Sequence, residues 1–145
     1  MKFKAIFFDN DGLLVNTEAL FFQATREVYA MSGIEVTREW YMNESLGKGV
    51  SSIELLSMHG LDNAAIQAVR TKRDERYWEL IQKDVPVVDG VRETLPLLKG
   101  KIVMGVVTSS NRREFNLMME KTGLDSFFSV HLWEQTPRLQ TNLSR

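Results

Sequence analysis

The chain has 145 residues, 43% of them hydrophobic and 26% charged, with a formal net charge of −1. That is enough for one modest globular domain with a core, and it offers neither a basic field for nucleic acid nor an acidic tail. The absence of cysteine excludes disulfides, zinc-thiolate sites and cysteine nucleophiles. No stretch approaches the roughly 20 apolar residues of a membrane span. The apolar run near the start ends at Asp9, too soon for a signal peptide. A soluble cytoplasmic protein, with no nucleic-acid or membrane partner, is expected.

Ala5 to Phe8 forms a short apolar run rich in strand formers, followed by Asp9-Asn10-Asp11-Gly12. It reads as a buried strand stopping at the edge of a sheet. Two carboxylates this close repel each other unless a cation or a shared proton offsets the repulsion. A hard, oxygen-liking ion such as Mg²⁺ suits them. The same residues also read as an Asp-rich turn after an edge strand, and both readings stand at this point.

Leu20, Phe21, Ala24, Val28 and Met31 recur at helical spacing, predicting an amphipathic helix over 17–31 that ends at Ser32-Gly33. A capping residue at Asn16 precedes it. Thr37 opens a second helical segment to about Glu44, followed by the loop Ser45-Leu46-Gly47-Lys48-Gly49. A third helix covers 51–56. A fourth is capped at Asp62-Asn63 and runs to about Gln82, marked by Ile66, Val69, Tyr77, Leu80 and Ile81.

Asp89 is expected to cap the next helix, which contains Val91, Leu95 and Leu98. Pro96 would cost about 3 kcal/mol in a regular interior, so a kink or a short helix is expected there. Ile102 to Val107 is a continuous apolar run, the mark of a strand buried on both faces of a parallel sheet. It ends in Thr108-Ser109-Ser110-Asn111. Asn111 with Glu114 fits a capping box for a helix through Phe115, Met118 and Met119 to Thr122, stopped by Gly123. Phe127 to Trp133 is expected to form a third strand. The Met118-Met119 pair, His59 and His131 read as core or surface residues.

The order is strand, helical block, then helix, strand, helix and strand. It describes an α/β parallel-sheet core into which a helical block is inserted. Neighbouring parallel strands would bring Asp9, Asp11, Thr108 and Ser109 into one crevice at their carboxyl ends. The free N–H groups of the helix starting near Asn111 would bind phosphate there. A carboxylate nucleophile, a second carboxylic acid, a divalent ion and a hydroxyl-plus-amide cradle make a phosphoryl-transfer site.

Phe8-Asp9-Asn10-Asp11-Gly12-Leu13-Leu14 resembles the first motif of the haloacid dehalogenase-like superfamily. Val106-Val107-Thr108-Ser109-Ser110-Asn111 resembles its second. The helical block before Pro86-Val87-Val88-Asp89-Gly90-Val91 resembles the cap of the β-phosphoglucomutase-like branch. The resemblance covers about residues 3–128. It implies a Rossmann-like core, incomplete here, from residues 1–15 and 86–145, with a helical cap at 16–85.

The resemblance also implies roles. Asp9 would be the nucleophile and a metal ligand. Asp11 would be the general acid/base, with its backbone carbonyl on Mg²⁺. Thr108 and the Ser109 amide would hold the transferring phosphoryl group, with Asn111 at the start of the phosphate-binding helix. Lys48 reads either as a cap residue touching substrate or as a solvated loop lysine. Asn16 departs from the acidic residue common in this branch and reads as a helix cap. Asp11 argues against dehalogenation. The implied activity is Mg²⁺-dependent hydrolysis of a small phosphorylated metabolite through an aspartyl-phosphate. The alternatives are a phosphomutase, or a non-catalytic remnant that only binds or oligomerises.

The superfamily pattern breaks towards the end. A downstream lysine and one or two further acids should complete the site, yet no lysine follows Lys121 and no aspartate follows Asp125. The segment from His131 to Arg145 lacks a strand-turn-helix rhythm. A C-terminally truncated core with an aberrant tail is expected, with weak Mg²⁺ binding and impaired catalysis. Ile6 to Phe8 would be left as an apolar edge, open to self-association.

Overall fold

A computed structural model describes residues 3–133. Its strands are β1 (Ala5–Asp9), β2 (Val103–Thr108) and β3 (Val130–Trp133). Its α-helices are α1 (Thr17–Ala30), α2 (Arg38–Trp40), α3 (Ser52–Met58), α4 (Asn63–Lys83), α5 (Val91–Leu98) and α6 (Arg112–Thr122). The described residues fall into two compact units. One combines the chain up to Val15 with the chain from Val87 onward, and the other is Asn16–Pro86.

The first unit holds a parallel sheet in the order β1-β2-β3. Phe7 pairs with Gly105 and Asp9 with Val107, while Thr108 pairs with Trp133. Two crossovers of one handedness, stepping the same way across the sheet, put their helices on one face. The side chains follow this arrangement. Met104, Val106 and Thr108 of β2 are buried, while Val103 and Val107 on the other face are 50% and 44% exposed. The sequence expectation that β2 is buried on both faces is therefore corrected. Its unbroken apolar run reports a parallel strand, but helices cover only one side among the described residues.

β1 is corrected in the same way. It sits at the edge of the sheet, and Phe7 is 49% exposed. The bare apolar edge expected at Ile6 to Phe8 is present among the described residues. On the covered face, the Phe8 ring meets Phe128 edge-on at 5.9 Å and Phe115 of α6 meets His131 at 5.4 Å.

Several local signals hold. Asn111 accepts the Glu114 N–H at 3.0 Å, and Gly123 ends α6 in the left-handed region at φ 71°. α5 is short and contains Pro96. Asp89 is not its cap. Gly90 takes that position with φ 86° and no side-chain cap bond forms. The third strand starts later than expected, because a 3-10 turn over Leu124–Phe127 follows Gly123 and ends with the Phe128 N–H on the Asp125 carbonyl.

The second unit is helical throughout its regular structure. α1 and α4 pack along each other, with Phe21 edge-on to Tyr77 at 5.5 Å. Val28, Tyr29, Val36, Tyr41, Leu56 and Ile66 belong to its core. Thr37, Ser51 and Asp62 cap their helices through side-chain oxygens. Asn16 occupies the cap position of α1 without a side-chain bond. The second helical segment departs from the expectation, since α2 runs straight into a π-helical turn over Tyr41–Leu46. Of the tail expected to be aberrant from His131 onward, residues 131–133 belong to β3, and the rest lies outside the described residues.

Candidate functional site

The site grows from the ends of β1 and β2. Asp9 pairs with Val107 across the ladder, so the turn after Asp9 lies beside residues 108–110. That turn is tightly built. The Asn10 carbonyl receives the N–H groups of Leu14 and Val15 at 2.9 and 3.1 Å, and that of Leu13 at 3.4 Å. Gly12 takes φ 77° and donates to the Val15 carbonyl at 2.8 Å, a geometry that favours glycine. Leu14 and Val15 beyond it are buried and anchor the turn.

Three donors converge on one oxygen, Oδ2 of Asp11. Ser110 Oγ donates at 2.5 Å, Thr108 Oγ1 at 3.3 Å and Asn10 Nδ2 at 3.4 Å. The Ser110 N–H in turn donates to Thr108 Oγ1 at 3.0 Å. Asp9 Oδ1 accepts the Asn10 N–H at 2.7 Å. Thr108 is buried and Asp9 exposed, so the first carboxylate faces solvent from a fixed frame. α6 begins directly after Asn111, three residues beyond the end of β2. The Asn111 side-chain oxygen is committed to capping that helix.

Asp11, Thr108 and the start of α6 are thus brought together in the first unit. Ser109 is exposed at the same turn. Lys48 lies in the helical unit, where its Nζ pairs with Glu44 at 2.7 Å. Two further residues at the site, Asn10 and Ser110, lacked a role in the sequence reading. Strand alternation carries a signal for Asn10, which falls on the inward side with Phe8. Ser110 carries none, because its contact depends on how the chain turns after β2.

Among the described residues, no cluster of three or more His, Cys, Asp or Glu side chains gathers as a metal-holding group. The donor chemistry at the strand ends still fits a hard divalent ion. Asp9 offers a carboxylate oxygen and Asp11 a backbone carbonyl oxygen, and Mg²⁺ is commonly held through one or two carboxylates while keeping several waters. An open depression of about 570 Å³, lined by Phe3, Lys4, Lys101 and Ser129 among others, lies at the opposite end of the strands. It has no part in this constellation.

The Tyr41 phenol is pushed far up, first by burial and then by its hydrogen bond to Glu18 at 2.8 Å. No helix of the described residues is long and apolar enough to cross a membrane.

The fold is that of an α/β protein with a parallel sheet, carrying aspartates and hydroxyls at adjacent strand ends. The family model described as haloacid dehalogenase-like hydrolase matches residues 6–137, and the chain belongs to that family. It is 29% identical over 133 residues to a phosphorylated carbohydrates phosphatase of Thermotoga maritima, covering 88% of this chain and 59% of that one. It is 26% identical over 137 residues to hexitol phosphatase B of Escherichia coli K12, covering 92% and 62%. A solved Thermotoga maritima structure carrying the name β-phosphoglucomutase superposes with a TM-score of 0.72 at 25% identity, over 94% of this chain and 63% of that one. The chain therefore spans about three fifths of the length of these relatives.

Proposed function

We propose that this chain carries the chemistry of a Mg²⁺-dependent phosphatase acting on a small phosphorylated metabolite. Asp9 attacks phosphorus, the bond to the leaving oxygen breaks, and Asp11 gives that oxygen a proton. Water then attacks the aspartyl-phosphate while Asp11 takes a proton from that water, releasing phosphate and free Asp9. The Thr108 hydroxyl, the Ser109 N–H and the start of α6 at Asn111 hold the phosphoryl oxygens. A Mg²⁺ ion held by Asp9 and Asp11 would neutralise the charge of the transferring group.

The observation that supports this reading best is the convergence on Asp11 Oδ2 of hydroxyls from the end of β2. It joins two distant motifs into one site. Relatives named for phosphorylated carbohydrates and hexitols favour a phosphorylated sugar or sugar alcohol as substrate, in the cytoplasm. The helical unit acts as the cap, with Lys48 touching substrate. A phosphomutase is the second reading, favoured by the similarity to the structure named β-phosphoglucomutase. It uses the same Asp9 intermediate with a sugar hydroxyl in place of water. The edge of β1, uncovered among the described residues, would pair two copies of the chain.

Beryllium fluoride, a phosphoryl mimic, tests the site apart from turnover. Its capture should require Mg²⁺ and vanish in Asp9→Asn. Capture that survives the substitution overturns the role of Asp9. Hydrolysis of an aryl phosphate no faster than in the Asp9→Asn control overturns the phosphatase reading, and sedimentation that shows only monomer at all concentrations overturns the pairing of copies.

A further inference from the structure

We propose that Asn10 is a positioning residue that holds Asp9 and Asp11 as one unit and ties them to α6. The inference rests on the roles of Asp9 and Asp11 proposed above. Asn10 lies between the two carboxylates and is 0% exposed, although Asp9 beside it is open to solvent. By strand alternation Ile6, Phe8 and Asn10 share the covered face. The first two are apolar, and an apolar side chain would also fill the third place. A carboxamide is there instead, and its Oδ1 is buried with no hydrogen-bond partner. An unsatisfied buried acceptor destabilises a fold, so packing alone does not account for it.

The other polar groups of Asn10 all act on the site. Its N–H donates to Asp9 Oδ1 at 2.7 Å. Its Nδ2 lies 3.4 Å from Asp11 Oδ2 and 3.3 Å from the sulfur of Met118 in α6. Its carbonyl gathers the N–H groups of the following turn. The direction of the amide is fixed by chemistry. Reversed, it would set Oδ1 against a carboxylate oxygen and a thioether sulfur, neither of which can donate. Asn10 therefore links the nucleophile, the acid/base and the helix whose start cradles phosphate. Restraint of this kind acts on rate through orientation, since reacting groups must be held near their productive geometry.

The test uses Asn10→Leu, which removes both polar ends, and Asn10→Ala as a second variant that adds no volume. The thermal midpoint, aryl-phosphate kinetics with Mg²⁺ and the ¹³Cγ resonance of Asp11 are measured in each. A positioning role predicts an unchanged or raised midpoint, a displaced or broadened Asp11 resonance, and kcat lowered about tenfold or more with KM within about twofold. An Asp11 resonance and kcat that match the native chain overturn the proposal. So does a midpoint that falls in step with kcat while the Asp11 resonance stays in place. A native chain with no Asp9-dependent capture of beryllium fluoride and no turnover overturns the proposed function instead, and the Asp11 resonance still decides the role of Asn10.

Discussion

Ser110 Oγ donates to Asp11 Oδ2 at 2.5 Å, across a separation of 99 residues. This contact joins the loop after β2 to the turn after β1, with Thr108 and Asn10 bonded to the same oxygen. A hydrogen bond to a charged group contributes about 1.5–3 kcal/mol, less where water reaches it.

Ser110→Ala should therefore destabilise the sheet unit by about 1–2 kcal/mol, since Thr108 and Asn10 remain on Asp11. With Asp11 held less firmly, kcat should fall about tenfold, equivalent to roughly 1.4 kcal/mol of barrier. Ser110→Thr keeps the hydroxyl and should stay near the native values. Urea denaturation together with aryl-phosphate turnover checks both parts. Native stability and kcat in Ser110→Ala would show that the contact does not hold Asp11.

Asp9→Asn should separate function from stability in the opposite sense. It removes one of two neighbouring like charges, and an amide oxygen can still accept the Asn10 N–H that Asp9 Oδ1 now takes. The thermal midpoint should hold or rise, by the equivalent of up to about 1 kcal/mol, while Mg²⁺-dependent capture of beryllium fluoride disappears. Most substitutions destabilise, so a variant that is no less stable and yet dead in binding marks Asp9 as a residue kept for chemistry. Capture at native strength would remove it from that role.

The comparison of sequence with structure divides along physical lines. Helix termini were legible where a side chain makes the cap, as Asp62 does for Ala65 and Asn111 for Glu114. They were misread at Asp89, where the positive φ of Gly90 shapes the start instead. Parallel strands were legible in the apolar runs, but exposure was not. Whether Val103 and Val107 are covered depends on which face the crossovers take and on what else packs there. Asp9, Asp11 and Thr108 carried a readable pattern because each stands at or just past the end of an apolar run that forms a strand. Ser110 did not, since a serine in a turn is ordinary until its partner is known.

Gly105 offers a test of the open face. The Phe7 ring lies over it, so that a Cβ at Gly105 would stand 2.5 Å from Phe7 Cε1 and 3.2 Å from the Val130 carbonyl oxygen. Gly105→Ala should destabilise the sheet unit by about 1–3 kcal/mol, as overpacking does. Phe7 is half exposed, so its ring has room to swing away. Phe7→Ala combined with Gly105→Ala should therefore be more stable than the sum of the single effects predicts, and a double-mutant cycle in urea measures the coupling. Strict additivity would mean that the ring does not press on Gly105.

The helical unit should respond to alkali through Tyr41. Burial, then the hydrogen bond to Glu18, raises the phenol above its ordinary value of 10.0. A raised value in the folded state means that the unfolded chain ionises first. The stabilising contribution is complete below pH 10 and is lost as pH rises from there towards the folded-state value. Glu27 acts with the opposite sign. Hydrogen bonds from Arg76 and Gln23 lower its value below 4.5, so its contribution is present above the ordinary carboxylate range and lost as pH falls through the folded-state value. Urea midpoints of helix signal at about pH 8 and about pH 11 should differ in the native chain and converge in Tyr41→Phe. The same variant should lose about 1–2 kcal/mol at neutral pH, because Glu18 forfeits a donor in a part-buried place. An alkaline loss of equal size in Tyr41→Phe would assign it to other groups, and no neutral-pH loss would mean that solvent replaces the phenol at Glu18.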